Sequence, residues 1–177
     1  DLNLIKFLKK KYKKKIILLK RKNNLARVNS YLEETILNSC KEYKKLKNKK
    51  IDQIALISVD TPFKKKHHLD SAINLMNIFK VDMIISVKTE IENFYQHNGQ
   101  GLQPLRKNYA LKLESDEMYK EISAIKIIDY TWFKKNKRID LKSKISHIVL
   151  DKESSITIND EFDWKLASLM VNQTNEF

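Results

Sequence analysis

The alternation of apolar runs with amphipathic stretches most limits the folds open to this chain of 177 residues. Residues 51–59 (IDQIALISV) form a β-branched run of strand length, which ends before Pro62 because proline cannot continue a central ladder. Residues 68–80 place apolar side chains on one helical face, and residues 82–87 (DMIISV) form a second apolar run. Strands that alternate with helices favour a layered α/β domain with a largely parallel sheet.

The remaining segments predict further elements of both kinds. Ser30 is followed three residues later by Glu33, and this capping-box pattern predicts a helix that runs to about Leu46. Residues 90–121 hold both glycines and Pro104, so they predict an irregular excursion with short strands. The other predictions are helices over 2–14 and 130–135, strands over 15–20, 123–128, 146–150 and 155–158, and a final helix capped by Asn159 or Asp160 and ending near Val171.

Glycine and cysteine usage excludes several kinds of site. The chain has two glycines, Gly99 and Gly101, where average usage would give about twelve. Walker loops and dinucleotide fingerprints both need several glycines, so neither occurs within these residues. The single Cys40 excludes an internal disulfide framework and a Cys-based zinc cluster, and its place on a helical stripe predicts a small buried apolar side chain. No apolar run approaches the roughly 18 residues of a membrane span, and the simplest expectation is a cytoplasmic protein.

The formal charge of +13 is carried entirely by the first part of the chain. Residues 1–50 contain 17 Lys and Arg against 4 Asp and Glu, whereas residues 51–177 contain 18 of each. Such a surplus is typical either of a surface that attracts phosphate groups or of ordinary solvated helix faces. In the first lysine-rich stretch, residues 1–20, the aromatic side chains that could stack on bases are limited to Phe7 and Tyr12, which favours solvated helix faces over a nucleic-acid interface.

Three polar segments follow the predicted strands and are candidates for a ligand site. In open α/β sheets, ligands bind beyond the carboxyl ends of the strands. The residues in question are 60–62 (DTP), 88–90 (KTE) and 159–161 (NDE). Two of these segments also have an ordinary explanation, since 60–62 can be a simple turn and 160–161 can cap a helix N-terminus.

Several segments, taken in order, match the motif pattern of one enzyme family. Residues 21–26 (RKNNLA) are similar to Arg-Pro-x-Glu-Leu-Ala, and Ser30 matches the Ser that opens the next helix. Residues 60–64 (DTPFK) are similar to Thr-Ser-Pro-Leu-Arg, and residues 84–87 (IISV) match Val-Ile-Ser-Val. Residues 155–167 (SITINDEFDWKLA) are close to Ser-Ile-Asp-Ile-Asp-x-Glu-x-Asp-Phe-x-Leu-Ala. The ordered set resembles the acylneuraminate cytidylyltransferases, or CMP-sialic acid synthetases.

Two segments between these motifs extend the resemblance, which covers about residues 21–170. Residues 119–124 (YKEISA) are similar to Tyr-x-Glu-Asn-Gly-Ala. Phe94, Tyr95, Gly99 and residues 102–105 are similar to part of the sugar-binding and dimerisation arm of that family. The resemblance therefore implies a Rossmann-like, GT-A-type three-layer sandwich with a mostly parallel central sheet. It also implies one nucleotidyltransferase domain over 1–177 with an inserted arm over 90–121, and a homodimer.

The resemblance also implies a reaction and roles for individual residues. Members of this family use CTP and Mg²⁺ to activate a nine-carbon keto-sugar acid, such as sialic, legionaminic or pseudaminic acid, and release pyrophosphate. The alternative is a catalytically impaired relative that binds nucleotide or sugar. The implied catalytic residues are Arg21, Asp60 and Asn159; the nucleotide contacts are Arg21, Ser30, Asp60 and Thr61; the sugar contacts are Lys120 and Thr61; and the metal ligands are Thr157, Asn159 and Asp163.

Two departures separate the chain from the family pattern. The family begins with a strand and a Gly-rich loop that holds the CTP phosphates, and residues from Asp1 onward contain neither. We therefore expect either an N-terminally incomplete fragment or the loss of the phosphate loop. The two metal-binding aspartates of the family are Thr157 and Asn159 here, and neutral ligands weaken a Mg²⁺ site because this ion prefers carboxylate oxygens.

Overall fold

The computed structural model describes residues 2–25, 31–105, 117–137 and 143–174, and the chain divides into two compact units. The first unit comprises Asp1–Asp52 together with Phe133–Ile139. The second comprises Gln53–Trp132 together with Asp140–Phe177 and holds the whole β-sheet. No helix in the described ranges is both long enough and apolar enough to cross a membrane.

The first unit contains two basic, amphipathic helices. Helix α1 spans Leu2–Tyr12 and is followed by a 3-10 turn at Lys13–Lys15. Helix α2 spans Leu32–Lys47, with acidic residues in its first turn and lysines in its last turn, as the helix dipole favours. Both predicted helices are confirmed, and Cys40 is buried on α2, where burial raises the pKa of its thiol. Ser30, the predicted cap of α2, lies outside the described residues.

The predicted strand over 15–20 is wrong. Ile16 is extended, but residues 17–20 have no regular structure and no described strand pairs with them. Ile17, Leu18 and Leu19 are exposed. A short apolar run becomes a strand when a neighbouring strand satisfies its backbone, and here the composition alone was misleading.

The described residues of the second unit form six strands and two complete helices, and a further helix begins in this unit and ends within residues of the first. Strand β1 is followed by α3 and β2, then by a β3–β4 hairpin, and the long strand β5 leads into α4. The bounds are β1 Gln53–Ile57, α3 Lys66–Phe79, β2 Met83–Glu90, β3 Tyr95–His97, β4 Leu102–Pro104, β5 Met118–Asp129, α4 Tyr130–Asn136, β6 Ile145–Val149 and α5 Glu161–Thr174.

The main sheet has the order β1-β5-β2-β6 within the described residues. Strand β5 pairs antiparallel with both β1 and β2, whereas β2 and β6 pair in parallel. Strands β1, β2 and β6 therefore run in one direction, and β5 runs against them between β1 and β2. The α/β class is confirmed, but the sheet is mixed, because the excursion after β2 returns the chain in the opposite direction. The three-layer arrangement remains a prediction.

One strand extends further than predicted, and the predicted strand over 155–158 is wrong. Strand β2 continues through Glu90, so the segment 88–90 lies within the strand and not in a loop beyond it. Residues 155–158 form no ladder, because the chain after β6 makes turns at 152–155 and then runs irregularly to α5. The final helix is confirmed. Its first turn is capped by Asp160, whose carboxylate accepts a hydrogen bond of 2.9 Å from the N–H of Asp163.

The core of the second unit lies between helix α3 and the sheet. Ala72 and Met76 on α3 pack with Ile84 on β2, Ile127 on β5 and Ile148 on β6, and all five are buried. Each large side chain buried in this way contributes about 1.5–3 kcal/mol relative to an exposed position. The core therefore fixes β2, β5 and β6 against one another, and these are the strands that precede or carry the candidate site.

Strand β5 bulges opposite Ser86. The register pairs Ile85 with Lys126 but Val87 with Glu121. An advance of two residues along β2 is therefore matched by five residues along β5. The fully buried Ser86 fills the gap: its Oγ lies 2.5 Å from the carbonyl oxygen of Ile122 and accepts a hydrogen bond of 2.9 Å from the N–H of Ile125. The bulge satisfies backbone groups that the ladder leaves unpaired and bends β5 where the candidate site begins.

Candidate functional site

A polar cavity of about 390 Å³ lies in the second unit at the bulged part of β5. This volume is within the range of small-molecule sites. Its wall comes from three segments, namely β2, β5 and the irregular chain between β6 and α5. The lining residues are Lys88, Lys120, Glu121, Ile122, Ser123, Ser155, Thr157 and Asn159.

Lys88 and Lys120 face each other across the β2–β5 ladder. They are direct register partners, and both line the cavity. Like charges in directly opposed positions destabilise a sheet unless other groups compensate them. The Lys88 ammonium lies 3.0 Å from the carboxylate of Glu90, whose side chain is only 11% exposed. For Lys120 the described residues provide neither an ion pair nor a hydrogen bond, so its positive charge is available to a ligand.

Among the described residues that line the cavity, Glu121 is the one with an acidic side chain, and its charge is already matched. Its carboxylate lies 2.9 Å from the ammonium of Lys126. Lys88 with Glu90 and Glu121 with Lys126 thus form two neutral pairs at the cavity. The charge left over is that of Lys120, and the cavity is electrostatically suited to an anionic group.

Thr157 and Asn159 contribute neutral side chains to the wall formed by the irregular chain between β6 and α5. The hydroxyl of Thr157 lies 3.4 Å from the carbonyl oxygen of Ser155. Both the backbone N–H and the side-chain amide of Asn159 donate to one carboxylate oxygen of Asp163, at 2.9 and 3.3 Å. Asp163 therefore holds Asn159 in place at the start of α5 and is not itself part of the cavity wall.

These donors do not fit a Mg²⁺ site of the expected kind. Mg²⁺ is normally held by one or two carboxylates with near-octahedral geometry. Here Thr157 and Asn159 are neutral, and Asp163 does not line the cavity and already accepts two hydrogen bonds from Asn159 at one carboxylate oxygen. The described residues also contain no cluster of three or more His, Cys, Asp or Glu side chains placed to hold a metal ion. Mg²⁺ use by this chain stays a prediction.

The loop after β1 carries Asp60 and Thr61 and is organised by Lys64. The ammonium of Lys64 donates to the carbonyl oxygens of Ser58 and Thr61, at 2.6 and 2.5 Å. Burial lowers the pKa of Lys64, and the nearby Asp60 carboxylate partly offsets this effect. Thr61 is fully buried, whereas the Asp60 side chain is exposed. Neither side chain lines the cavity.

Asp60 reaches the site through its backbone. Its carbonyl oxygen accepts a hydrogen bond of 2.8 Å from the N–H of Ile158, which lies between Thr157 and Asn159. The loop after β1 therefore fixes the position of the irregular segment that carries both neutral side chains. This main-chain bond links the loop after β1 to the segment before α5 without bringing the Asp60 or Thr61 side chain into the cavity, and the predicted roles of these two residues stay predictions.

A second link joins the same two regions through charged side chains. The Asp151 carboxylate accepts hydrogen bonds from the N–H of Ser154 at 2.7 Å, from its hydroxyl at 3.1 Å, and from Lys65 at 3.3 Å. These interactions, led by the Ser154 N–H, lower the pKa of Asp151 to about 2. Beside this cluster, burial lowers the pKa of His68, whose Nδ1 accepts the Lys65 N–H. The start of α3 and the turn after β6 are thus held together.

Arg21 and Ser30 cannot be assigned to this cavity. Arg21 belongs to the first unit, where its Nε donates to Thr35 Oγ1 at 3.1 Å. Ser30 lies outside the described residues. Among the predicted residues, the structure brings together Lys120, Thr157 and Asn159, with Lys88 from the strand-end candidates. Their roles stay predictions.

Sequence reasoning missed Ser86 and the pairing of Glu121 with Lys126. The signal for Ser86 was available, since a serine inside the apolar run 82–87 is a buried polar group that needs partners. The Glu121–Lys126 pair had no comparable signal, because it spans the bulge, and a regular strand would have placed these residues on opposite faces.

A separate apolar groove of about 320 Å³ lies along α5. Its wall includes Pro62, Phe63, Ile158, Trp164 and Ala167. The described residues that line it carry no formal charge. A ligand with phosphate or carboxylate groups would find no compensating charge there, so the polar cavity is the better candidate site.

Comparison with known proteins agrees with the fold. No family model matches the sequence, and no curated protein matches it either. Among solved structures, the chain is similar to 4-diphosphocytidyl-2C-methyl-D-erythritol synthase from Anaerococcus prevotii, with a TM-score of 0.61 and 13% sequence identity. The match covers 97% of this chain and 77% of that structure. At this identity the similarity shows a shared α/β fold.

Proposed function

We propose that the chain is a nucleotidyltransferase that uses CTP and a nine-carbon keto-sugar acid as the acceptor. Two independent observations support a cytidylyl donor. The motif series resembles the acylneuraminate cytidylyltransferases, and the fold matches an enzyme whose name specifies a diphosphocytidyl product. The acceptor class rests on the resemblance and on the cavity that contains Lys120.

The observation that carries the proposal is the meeting of Lys120, Thr157 and Asn159 in one cavity. Lys120 is 37 positions from Thr157 and 39 from Asn159 in sequence, and the resemblance assigns all three residues to the site. The ammonium of Lys120 would pair with the acceptor carboxylate. Thr157 and Asn159 would hydrogen bond to neutral oxygens of the bound ligand, since both side chains can donate and accept.

The proposed reaction joins an acceptor oxygen to phosphorus. The anomeric hydroxyl oxygen attacks the α-phosphorus of CTP, the bond to the bridging oxygen of the β-phosphate breaks, and pyrophosphate leaves while the hydroxyl proton passes to solvent. The products are a CMP-sugar acid and pyrophosphate. Little covalent work falls to the protein, which has to position the two substrates and stabilise negative charge.

A second candidate function is binding of nucleotide or sugar acid without turnover. The specific observation in its favour is the replacement of two acidic residues by Thr157 and Asn159, which lowers the negative charge available to hold a catalytic cation. Asn159 is moreover bound to Asp163 through its side-chain amide, at 3.3 Å. Such a protein would keep its ligand site and lose the reaction.

Pyrophosphate release from CTP separates the two candidates. The purified chain is incubated with CTP, Mg²⁺ and sialic, legionaminic or pseudaminic acid, and pyrophosphate and CMP-sugar are measured. Acceptor-dependent release supports the enzyme. If the wild type is silent but the double variant Thr157→Asp/Asn159→Asp gains Mg²⁺-dependent release, the impaired relative is supported. If neither protein binds CTP or sugar acid, both candidates are wrong.

The resemblance also leads us to propose a homodimer formed through the arm. The β3–β4 hairpin and the residues beside it expose apolar side chains, namely Tyr95 and Leu102 in the hairpin and Ile91 and Leu105 next to it. Apolar surface concentrated on a small hairpin is typical of an interaction site. Sedimentation equilibrium tests the proposal, since Leu102→Asp should shift a dimer towards the monomer.

A further inference from the structure

We infer that the cavity holds an oxyanion of its ligand between Lys88 and Lys120, and that this binding does not depend on a divalent cation at Thr157 and Asn159. The inference rests on the proposed function for its choice of probes. It departs from the resemblance, which places a metal at the two positions now occupied by neutral side chains.

The geometry of the two lysines carries the first part of the inference. Lys88 and Lys120 are register partners on β2 and β5, and both line the same cavity. Lysines at directly opposed positions repel each other unless their charges are compensated; Glu90 compensates Lys88, and an anion bound between the two lysines would compensate Lys120. The interaction of a carboxylate or phosphate oxygen with an ammonium group is a charge-assisted hydrogen bond, which is stronger than a neutral one.

The pairing of the neighbouring charges explains why an anion fits best here. Glu121 is matched by Lys126 at 2.9 Å, so it does not neutralise Lys120. Glu90 matches Lys88 at 3.0 Å from a nearly buried position, which holds the Lys88 side chain in place while leaving it 40% exposed. Glu90 thus holds Lys88 in place, Lys120 has no ion-pair partner among the described residues, and the two lysines together form one positive site.

The neutral side chains of Thr157 and Asn159 support the second part of the inference, that binding does not depend on a divalent cation. A carboxylate at either position would attract a cation, which could then bridge to an anionic ligand. Thr157 and Asn159 provide no such charge, the Glu121 carboxylate is paired with Lys126, and one oxygen of the Asp163 carboxylate accepts hydrogen bonds from the Asn159 backbone and side chain. Charge compensation of the ligand falls to the lysines.

The test measures direct binding by calorimetry, with no turnover required. The probes are N-acetylneuraminate, with its carboxylate methyl ester as the uncharged match, and CTP, with cytidine as its match. Each is titrated into the wild-type chain in Mg²⁺ and again in EDTA. The variants are Lys120→Met and the pair Lys88→Met/Glu90→Gln, in which no buried carboxylate is left without a partner. Lys165→Met on α5, an exposed lysine outside the cavity, is the control.

We expect each lysine variant to weaken binding of at least one anionic probe by roughly tenfold or more, because a hydrogen bond to a charged group is worth about 1.5–3 kcal/mol. The methyl ester and cytidine should bind weakly to the wild type and to every variant, and Lys165→Met should bind the anionic probes as the wild type does. Replacing Mg²⁺ by EDTA should change the affinity less than about twofold. Loss for N-acetylneuraminate assigns the site to the acceptor carboxylate, and loss for CTP assigns it to phosphate.

Three results would overturn the inference: no binding of either anion to the wild type, unchanged affinity in both lysine variants, or loss of wild-type binding in EDTA. Failure of the proposed function is a distinct result, because a chain that binds N-acetylneuraminate through Lys120 without releasing pyrophosphate would refute the enzyme and leave the anion site intact. Circular dichroism of each variant confirms that it is folded.

Discussion

The hydroxyl of Ser86 and the backbone N–H of Ile125 lie 2.9 Å apart, and this hydrogen bond spans the point where β5 leaves regular register with β2. Ser86 is fully buried, and its oxygen also lies 2.5 Å from the carbonyl oxygen of Ile122. The Ser86 side chain thus makes the hydrogen bonds that regular backbone pairing between β2 and β5 would otherwise provide. The bulge it stabilises places Ile122 and Ser123 in the cavity wall.

Replacement of Ser86 by Ala should therefore destabilise the protein. The change leaves the buried N–H of Ile125 without its acceptor, which costs about 1–3 kcal/mol of the free energy of unfolding. Urea denaturation should show a lower midpoint at an unchanged slope. Ser168→Ala, at a half-buried position on α5, is the control and should change stability by less than about 0.5 kcal/mol. If Ser86→Ala lowers the free energy of unfolding no more than Ser168→Ala does, Ser86 does not stabilise the bulge.

Lys64 should be needed for the stability of the loop after β1. Its ammonium donates to the carbonyls of Ser58 and Thr61, and Lys64→Met leaves both without this donor. We expect a loss of about 1–3 kcal/mol in the free energy of unfolding, with faster proteolysis of the loop. Lys66→Met, at an exposed position at the start of α3, is the matched control. Equal stability of the two variants would show that the Lys64 contacts contribute nothing.

Asp151 should make the stability of the second unit fall in acid. Its pKa is about 2 in the folded chain against an ordinary 3.8, so the folded state favours the charged carboxylate. This contribution is complete above pH 3.8 and is lost as the pH falls towards 2. Because the side chain is 46% exposed, solvent screening reduces the effect to about 1 kcal/mol.

The measurement compares urea midpoints of wild type and Asp151→Asn at about pH 5 and about pH 2.5. The variant should be less stable than wild type at the higher pH and nearly equal to it at the lower. Asp70→Asn, an exposed substitution on α3, controls for a general change in net charge. A constant difference between Asp151→Asn and wild type across this range would mean that the Lys65 and Ser154 contacts do not depend on ionisation.

Much of the second unit could be predicted from local pattern. The runs 51–59 and 82–87 contain β1 and most of β2, and the helical periodicity of 68–80 contains most of α3, because buried apolar spacing is a local property of the sequence. The run 15–20 has the same apolar character and forms no strand. What separates the two cases is the presence of a pairing partner, which is a property of the whole fold.

The sequence predicts which residues belong to the candidate site better than it predicts how they are arranged. Lys120, Thr157 and Asn159 were named from the motif series, and they line one cavity. The pairing of Lys88 with Lys120 follows from a bulge that Ser86 holds through contacts 36 and 39 residues away in sequence, and no local pattern encodes such contacts. The neutral pairing of Glu121 with Lys126 depends on the same bulge.

The main-chain bond from Ile158 to Asp60 has an evolutionary consequence. Because it uses backbone atoms alone, mutations at the adjacent positions 157 and 159 can accumulate without dislodging the segment that bears them. A lineage could thus exchange acidic residues for neutral ones here, and acquire a different ligand preference, while retaining the same scaffold.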